Sequence, residues 1–507
     1  MTFLAALPIL VILFLMLVLR WGASRAGAWG YATAFLLAVL IFDAGVDAVL
    51  YAHLRALFLS LDVLLIIWGA YLLYRVVDEA KALQTLGAAL SHLTADRGMQ
   101  ALIIGWAFAA FLQGAGGFGV PVAVTAPILL GLGFDPLTAV VIPSVGHGWA
   151  VTFGSFGSSF RALMAATGLE SHVLAPDAAR FLAFSALLTG PMIAYLADGR
   201  QGLRRLLLKS LLIGGTMGGV MYIVAAVADL WNLGAFVGGL SGLLIGVGVA
   251  RWGRARRGSE EGPSRGQVGV ALSAYGVLVA LTVLILLLPP VKETLGKVAI
   301  QIHFPETVTG RGFVMPAGDS RPIRLFTHAG SILLYTSLIA AWIYRRAGLY
   351  SDGAGRRMLR ATVKGVRSST LSILEMMTMA MLMQQSGMTE TLARGLVESV
   401  GVAFPVFSPW LGALGAFMTG SNTNSNVVFA ALQMRTAELL GYAVPPILAA
   451  QTAGAALASV AAPTKVVVGA STGGMAGKEG EVMRRLIGSV VLLVLFISLL
   501  TALAIWA

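Results

Sequence analysis

The chain lacks cysteine altogether and contains few charged residues. Among its 507 residues there is no cysteine, and Asp, Glu, Lys and Arg together make up only 11%. Without cysteine, no disulfide framework, thiolate metal site or cysteine nucleophile can form. Hydrophobic residues make up 58%, and the mean hydropathy of +0.85 lies outside the range of soluble globular chains. The composition therefore predicts an all-α polytopic membrane protein surrounded by the lipid bilayer.

The net charge of +12 comes from basic residues that lie between apolar spans. Such a distribution is typical of the positive-inside rule and does not indicate a nucleic-acid partner. The basic linkers, which we place in the cytoplasm, are those with Arg20 and Arg25 and those at residues 200–209, 251–265 and 345–367. Alternating spans between these linkers are mutually consistent only when the N-terminus and the C-terminus both lie outside.

Apolar windows long enough to cross a bilayer recur along the chain. They lie near residues 3–19, 28–50, 57–74, 179–197, 210–228, 234–250, 267–289, 326–343, 368–386 and 486–507. The first window follows no charged segment and precedes no Ala-x-Ala site, so we expect a retained span and not a signal peptide. With two interrupted modules at residues 99–178 and 406–478, we expect about 12 to 14 membrane segments of about 20 residues each.

The pattern divides the chain into two transport repeats with other helices before, between and after them. The N-terminal helices occupy residues 1–56, the first repeat 57–197, the connecting and scaffold helices 198–366, the second repeat 367–485 and the C-terminal helix 486–507. The scaffold region includes a predicted cytoplasmic linker at 251–266 and a predicted external linker at 290–325.

Each repeat contains a stretch that is apolar but unsuited to a continuous helix. Residues 111–127 carry four glycines within six positions, followed by Pro121. Residues 417–433 contain a polar run instead. At membrane depth, such sequences survive only where they line protein or a water-filled cavity. We therefore expect two discontinuous or re-entrant helices.

The two modules also resemble each other in sequence order. FLQG at 111–114 matches FMTG at 417–420, and a second polar break follows in each module, at 154–159 and at 462–471. The number of predicted spans between the two modules implies that the modules cross the membrane in opposite directions. Inverted repeats around a midplane site are the architecture of alternating access, so the sequence predicts a secondary transporter.

The breaks supply groups that suit a small anion. Backbone N–H groups at a half-helix N-terminus favour negative charge, and side-chain amides and hydroxyls orient a ligand. The candidate binding residues are Gln113, Gly114, Gly116, Gly117, Gly119, Ser421, Asn422, Thr423, Asn424, Ser425 and Asn426. The alternatives are that the polar run only joins helices, that the glycines form a close-packing face, and that Gln113 supports the site without touching the ligand.

Several ionisable residues inside apolar spans are also functional candidates. Lys465 is a candidate partner for a substrate carboxylate, and His147 is a candidate for both binding and proton coupling. Glu375 is the other proton-coupling candidate, and we predict that Glu375→Gln abolishes pH-driven uptake while counterflow exchange persists. The competing interpretations are an interfacial glutamate, a snorkelling lysine and a satisfied core histidine. Arg161 and His328, near predicted membrane edges, are weaker candidates.

At these residues the chain resembles the lactate permeases, bacterial carriers of L-lactate and related 2-hydroxy monocarboxylates such as glycolate. The similar stretches cover most of the chain in the family's order: residues 105–137, AVTFGSFGSS at 150–159, residues 414–433, and GKEGEVMRR from Gly477. The resemblance implies proton-coupled uptake of a small organic anion across the inner (cytoplasmic) membrane, with no cofactor and no metal. A homodimer is compatible with it.

The chain departs from the family pattern at three places. Gln113 stands where the family has a glutamate, and Asn422 stands where it has an aspartate. The lysine that the family carries ahead of the last break is missing near Ser459, and Lys465 follows a few positions later. Because an amide cannot cycle a proton, the alternatives of a uniporter, or of a carrier that couples another ion to a different organic anion, stay open.

Other classes of protein fit the sequence less well. A membrane-embedded enzyme would need a catalytic constellation, and the chain has no HExxH pair, no paired intramembrane aspartates and only scattered histidines. We therefore predict that the protein is not an enzyme. A channel would lack saturable uptake and counterflow, and a receptor role has no attached globular domain to support it.

Overall fold

The computed structural model describes residues 1–117, 119–252 and 262–507. Phe118, inside the first predicted break, and residues 253–261, most of the predicted cytoplasmic linker, lie outside the described residues.

The described chain is built almost wholly from helices. In order they are α1 (Thr2–Leu17), α2 (Ala23–Leu40), α3 (Val46–Glu79), α4 (Ala82–Ser91), α5 (Arg97–Gln100), α6 (Ala109–Ala115), α7 (Val120–Gly131), α8 (Pro136–His147), α9 (Ser158–Thr167), α10 (Ser171–Tyr222), α11 (Gly234–Trp252), α12 (Arg265–Leu287), α13 (Pro289–Gly296), α14 (Ala329–Arg346), α15 (Ala354–Gln385), α16 (Met388–Val400), α17 (Phe404–Thr419), α18 (Asn422–Leu440), α19 (Val444–Ala458), α20 (Pro463–Thr472) and α21 (Glu479–Trp506). Residues Ala101–Phe108 and Ile223–Val227 are π-helical.

The helices include enough apolar segments for a multi-pass membrane protein. Within the described ranges, nine helices are long and apolar enough to cross a bilayer, and Thr2–Leu17 and Val120–Gly131 are shorter apolar helices. The longest of the nine, Ser171–Val227, leaves helical geometry at Asp198 and Gly199 and so contains two segments. Counting it twice and adding the two shorter helices gives twelve apolar segments, within the predicted range. The basic stretch 200–209, predicted as a linker, is helical because α10 continues through it.

The two predicted modules share one order of elements. In the first, α6, a break, α7, a turn, α8, a second break and α9 follow one another; in the second, the same order runs through α17, α18, α19 and α20. The modules pack reciprocally, because α7 contacts α20 and its counterpart α18 contacts α9. Reciprocal contacts are what a two-fold relation produces, and they agree with the predicted pair of inverted repeats.

Small residues let the helices of the second module approach closely. A Cβ atom at Gly412 of α17 would overlap the backbone of Gln451 in α19, and one at Gly454 of α19 would overlap the backbone of Pro409 in α17. Membrane helices associate mainly through such close packing and through hydrogen bonds. Both helices also contact α18, whose first turns contain the polar residues described below.

The predicted external linker is structured. After α13 it forms a single long hairpin of three short antiparallel pairs, in which β1 (Ala299–Ile300) pairs with β6 (Ile323–Arg324), β2 (His303–Phe304) with β5 (Gly318–Asp319) and β3 (Thr307–Val308) with β4 (Val314–Met315). The sequence pattern predicts this region only as an external linker and does not predict the hairpin, because strands of two residues are too short to leave an alternating pattern.

Candidate functional site

The first predicted break is present at the centre of the first module. Helix α6 ends at Ala115, and α7 begins at Val120 with Pro121 in its first turn. Between them Gly117 has φ +61° and Gly119 has φ +85°, a region that L-residues with side chains rarely adopt. The glycines are therefore needed for the turn itself, as the prediction of a discontinuous helix requires.

Gly114 does not belong to the break. It lies inside α6, where an added Cβ would lie 2.5 Å from the backbone nitrogen of Phe236 in α11. This glycine permits close packing of two helices, which is the alternative interpretation considered for the whole cluster. Gly116 lies in the break, and a Cβ there would make only ordinary contacts.

The Gln113 side chain lies between the two breaks of the first module. Its side chain is 4% exposed, and its Oε1 atom has no hydrogen-bond partner. A Cβ at Gly154 would lie 2.7 Å from Gln113 Nε2, so the bare backbone of the second break leaves room for this amide. Ser155 Oγ, in the same break, donates to the carbonyl of Gly116 at 3.4 Å. A buried amide with an unused acceptor is thus held between two irregular backbone segments.

The second module breaks at Gly420 and Ser421, and the polar run continues as a helix. Gly420 has φ +70° and ends α17. Ser421 caps α18, its Oγ accepting from the backbone N–H of Asn424 at 3.2 Å. Residues 422–426 form the first turns of α18 and are buried. The predicted break of this module therefore lies at Gly420 and Ser421, and the polar residues behind it are helical because the serine cap satisfies a backbone N–H at the helix start.

Three of these polar residues bind the first module. Asn422 Nδ2 donates to Thr152 Oγ1 at 3.0 Å and approaches Thr452 Oγ1 at 3.4 Å. Asn426 Nδ2 donates to the carbonyl of Ser159 at 2.9 Å and to Thr452 Oγ1 at 3.0 Å. Thr423 Oγ1 and Ser159 Oγ are 3.0 Å apart. The start of α18 is therefore hydrogen-bonded to both sides of the second break of the first module.

The other two residues of this stretch, Asn424 and Ser425, hydrogen-bond to other helices. Asn424 Nδ2 donates to Ser372 Oγ of α15 at 2.8 Å, while Asn424 Oδ1 is buried and unpartnered. Ser425 Oγ donates to the carbonyl of Gly412 at 2.8 Å. The polar run is thus divided between a face that meets the first module and a face that packs against helices α15 and α17.

Lys465 and His147 lie where the last break of each module begins or ends. Lys465 is in the first turn of α20, and its Nζ donates to Ser459 Oγ at 2.9 Å. The side chain of Lys465 therefore reaches back to Ser459, near which the family resemblance implies a lysine. His147 ends α8, is 2% exposed, and its Nδ1–H donates to the carbonyl of Pro143 at 2.7 Å. Its Nε2 atom has no partner, and its ring is within electrostatic range of Lys465.

Glu375 lies away from this site. Its Oε1 accepts from Ser24 Oγ of α2 at 3.3 Å, and its Oε2 is buried without a partner. A Cβ at Gly27 of α2 would lie 3.1 Å from Glu375 Oε2, so the carboxyl is set against the N-terminal helices.

Sequence reasoning missed Asp62, which the structure places between the two weaker candidates. Both carboxylate oxygens accept from Arg161, from Nε and from Nη2, each at 2.6 Å. His328 Nε2 is 3.1 Å from Asp62 Oδ1. Asp62 stands in an otherwise apolar part of α3, so an ionisable residue inside a span was the signal that could have found it.

No set of three or more His, Cys, Asp or Glu side chains in the described ranges is placed to hold a metal ion. The groups at the meeting point are neutral amides and hydroxyls with one ammonium. They can orient and neutralise a small anion.

A many-helix membrane fold with paired broken helices around a buried polar site defines the secondary transporters as a class. The sequence profile described as L-lactate permease matches residues 2–506. The chain therefore belongs to the L-lactate permease family.

Named relatives agree with this assignment, and a solved structure has a similar fold. The L-lactate permease of Salmonella typhimurium is 27% identical over 513 residues, which cover 95% of this chain and 91% of the relative. Glycolate permease GlcA of Escherichia coli is 26% identical over 514 residues, covering 95% and 91% respectively. The fold is similar to that of the Alcanivorax borkumensis YdaH transporter, with a TM-score of 0.55, 14% identity, and 95% and 98% of the two chains covered.

Proposed function

We propose that this protein is a secondary active transporter that moves L-lactate or a related small 2-hydroxy monocarboxylate across the bacterial cytoplasmic membrane. The two modules act as transport repeats that alternate around their shared polar site, with both chain termini outside. The domain ranges given above from the sequence are part of the proposal. Membership of the L-lactate permease family, and the names of the lactate and glycolate relatives, support the substrate class.

The observation that carries the proposal is the state of Lys465. Its ammonium is bonded to a neutral hydroxyl, and within the described residues it forms no ion pair with a carboxylate. A charge at membrane depth is costly unless it is paired. A substrate carboxylate would supply the missing negative charge, and Asn422, Gln113 and the hydroxyls of Thr152 and Thr452 could bind the remaining oxygens, including a 2-hydroxyl group.

Proton symport is part of the proposal, although the two amides cannot take part in it. Gln113 and Asn422 have no titratable proton in the physiological range, so another group must carry the proton. The sequence-based candidates are His147, whose buried Nε2 is unpartnered near Lys465, and Glu375. A uniporter, or a carrier coupled to another ion, is the alternative. Two copies of the chain would form the homodimer that the sequence allows.

The test is uptake and counterflow of radiolabelled lactate in proteoliposomes, with lactate, glycolate, pyruvate and acetate as competitors. Removing one member of a buried charge pair costs about 2–5 kcal/mol, so we expect Lys465→Gln to weaken lactate binding by more than about tenfold, since tenfold corresponds to about 1.4 kcal/mol. Lys478→Gln, which changes a lysine near the start of α21, is the matched control and should be neutral.

Saturable counterflow that lactate inhibits most strongly, and that Lys465→Gln but not Lys478→Gln impairs, would support the proposal. Non-saturable flux would indicate a channel instead. Preference for an unrelated anion would refute the substrate assignment, and a fully active Lys465→Gln protein would remove the lysine from the site.

A further inference from the structure

A large cavity opens beside the Asp62 carboxylate, apart from the meeting point of the breaks. Its volume is about 1010 Å³, and it lies against the hairpin linker 290–325, which the positive-inside rule places outside. Arg161 and His328 line it, as does Ile66, one turn along α3 from Asp62. Asp62 is 3% exposed. The two side chains that hold Asp62 therefore separate it from the water-accessible space.

The hydrogen bonds determine which nitrogen of the neutral His328 ring carries the proton. The backbone N–H of Gly330 donates to His328 Nδ1 at 3.2 Å, so the neutral ring carries its proton on Nε2 and donates it to Asp62. Arg161 completes the pairing with two parallel hydrogen bonds, a geometry in which a guanidinium matches any carboxylate equally well. A second carboxylate could therefore compete with Asp62 for Arg161.

Arg161 and its two partners lie on different elements. Arg161 is on α9, the last half-helix of the first module, whereas Asp62 is on α3 and His328 precedes α14. Two residues before Arg161, Ser159 bonds Thr423 and Asn426 of the second module. The ion pair thus links the half-helix that touches the proposed lactate site to α3, which precedes the broken helices of the first module.

From this arrangement we infer that Asp62 is the proton-carrying group of the transport cycle and that Arg161 exchanges Asp62 for the carboxylate of the incoming substrate. The inference rests on the proposed function as a carrier of small carboxylates. The carboxylate of the anion takes the place of Asp62 on Arg161, and Asp62, which has then lost its cationic partner, takes up one proton from the outer cavity. After the carrier has turned to the cytoplasmic side and the anion has left, Arg161 pairs with Asp62 again. The Asp62 proton is then released to the cytoplasmic side, so one proton moves with each anion.

The surrounding charges suit an anion arriving in the cavity. Besides Arg161 and His328, the cavity is lined by the cationic residues Lys292, Lys297, Arg321 and Arg324 and by the acidic residues Glu170, Asp229 and Glu293. Arg321 pairs with Glu170. Cations outnumber carboxylates around the opening, and a charged cleft of one sign raises the local concentration of the opposite ion. Glu375 and His147 do not line this cavity.

The decisive variant is Asp62→Asn, which keeps the shape and removes the titratable proton. We expect lactate counterflow to persist and to lose its dependence on pH, while accumulation driven by a pH gradient falls to the level of vesicles without a gradient. Glu79→Gln is the matched control, because Glu79 is the last residue of α3 and pairs with Arg357. Glu375→Gln is the comparison that separates the two carboxyls: pH-driven accumulation is kept in this variant if Asp62 carries the proton, and is lost if the sequence-based prediction for Glu375 is right.

Folded, counterflow-active Asp62→Asn protein that still accumulates lactate under a pH gradient would overturn the inference. If wild-type protein shows no lactate counterflow, the proposed function fails and the failure is not that of Asp62. Should Asp62→Asn alone not fold, the neutral pair Asp62→Asn with Arg161→Gln replaces it. That double variant should lose pH-driven accumulation, and retention of accumulation there would equally overturn the inference.

Discussion

The first breaks of the two modules occupy equivalent places but are built differently. In the first module the chain turns through Gly117 and Gly119, both with positive φ, and α7 starts without a side-chain cap. In the second, only Gly420 has positive φ, and Ser421 caps the following helix. The first module therefore contributes an irregular backbone around a single amide, whereas the second contributes a regular helix start that presents amides and hydroxyls.

The second breaks of the two modules differ in backbone strain. The second break of the first module, at residues 154–157, also has a strained backbone, since Ser155 and Phe156 have φ of +48° and +54°. Non-glycine residues in this conformation cost free energy and persist where the surroundings impose them. In the second module the corresponding second break passes through Ala462 with φ −59°, in an ordinary region. Substitutions should therefore affect folding in the first module and ligand binding in the second.

The largest expected effect is that of Gly117→Ala. The new Cβ would overlap Ser155 Oγ, and the residue would keep a positive φ. The backbone strain alone costs about 1–3 kcal/mol. Because the overlap adds to this cost, we expect a larger loss of stability, and no uptake. Gly133→Ala is the matched control, because Gly133 has φ +87° and open space around its Cβ position. The melting temperatures of the two detergent-purified variants measure their losses of stability. Equal losses would show that the contact with Ser155 is unimportant.

Asn426→Ala should lose less stability than Gly117→Ala, and it should lose more of its response to the ligand. The substitution removes the hydrogen bonds that Asn426 Nδ2 donates to the carbonyl of Ser159 and to Thr452 Oγ1, and each lost hydrogen bond costs about 0.5–1.5 kcal/mol. Substrate binding to the folded state raises its stability as RT ln(1 + [L]/Kd), so lactate-induced stabilisation should shrink as well. Gln84→Ala, at an exposed position of α4, is the control. An unchanged lactate response would place the ligand elsewhere.

Ser421→Ala tests the cap and should have the smallest effect. Loss of a serine N-cap costs about 0.5–2 kcal/mol, whereas replacement by glycine costs only a few tenths. The melting temperature should fall in the order wild type, Ser421→Gly, Ser421→Ala. If both variants melt like the wild type, the hydrogen bond to Asn424 does not stabilise the start of α18.

The positions of the breaks followed from residue types that disfavour helix. The glycines before Pro121 predicted the turn, and the order of the two modules followed from FLQG and FMTG. Gly114 was assigned to the break because glycine serves both for turns and for close packing, and only its contact with Phe236 separates the two uses. The helical state of residues 422–426 was missed, since it depends on one hydrogen bond from the cap.

Contacts between distant residues were the part that sequence reasoning could not supply. Nothing in the order of residues joins Asp62 to Arg161 and His328, or Lys465 to Ser459, because each pair is made by helix packing. Membrane segments of similar hydropathy do not reveal their neighbours. The identity of the groups in the breaks was therefore predictable, and their partners were not.

The central claim is that the breaks of the two modules meet and hold one small carboxylate. A cryo-electron-microscopy map of the protein with L-lactate tests it most directly. We expect ligand density in contact with Lys465 and Asn422 from one module and within reach of Gln113 from the other. Density confined to the outer cavity, or two breaks separated by continuous packed helix, would contradict the claim.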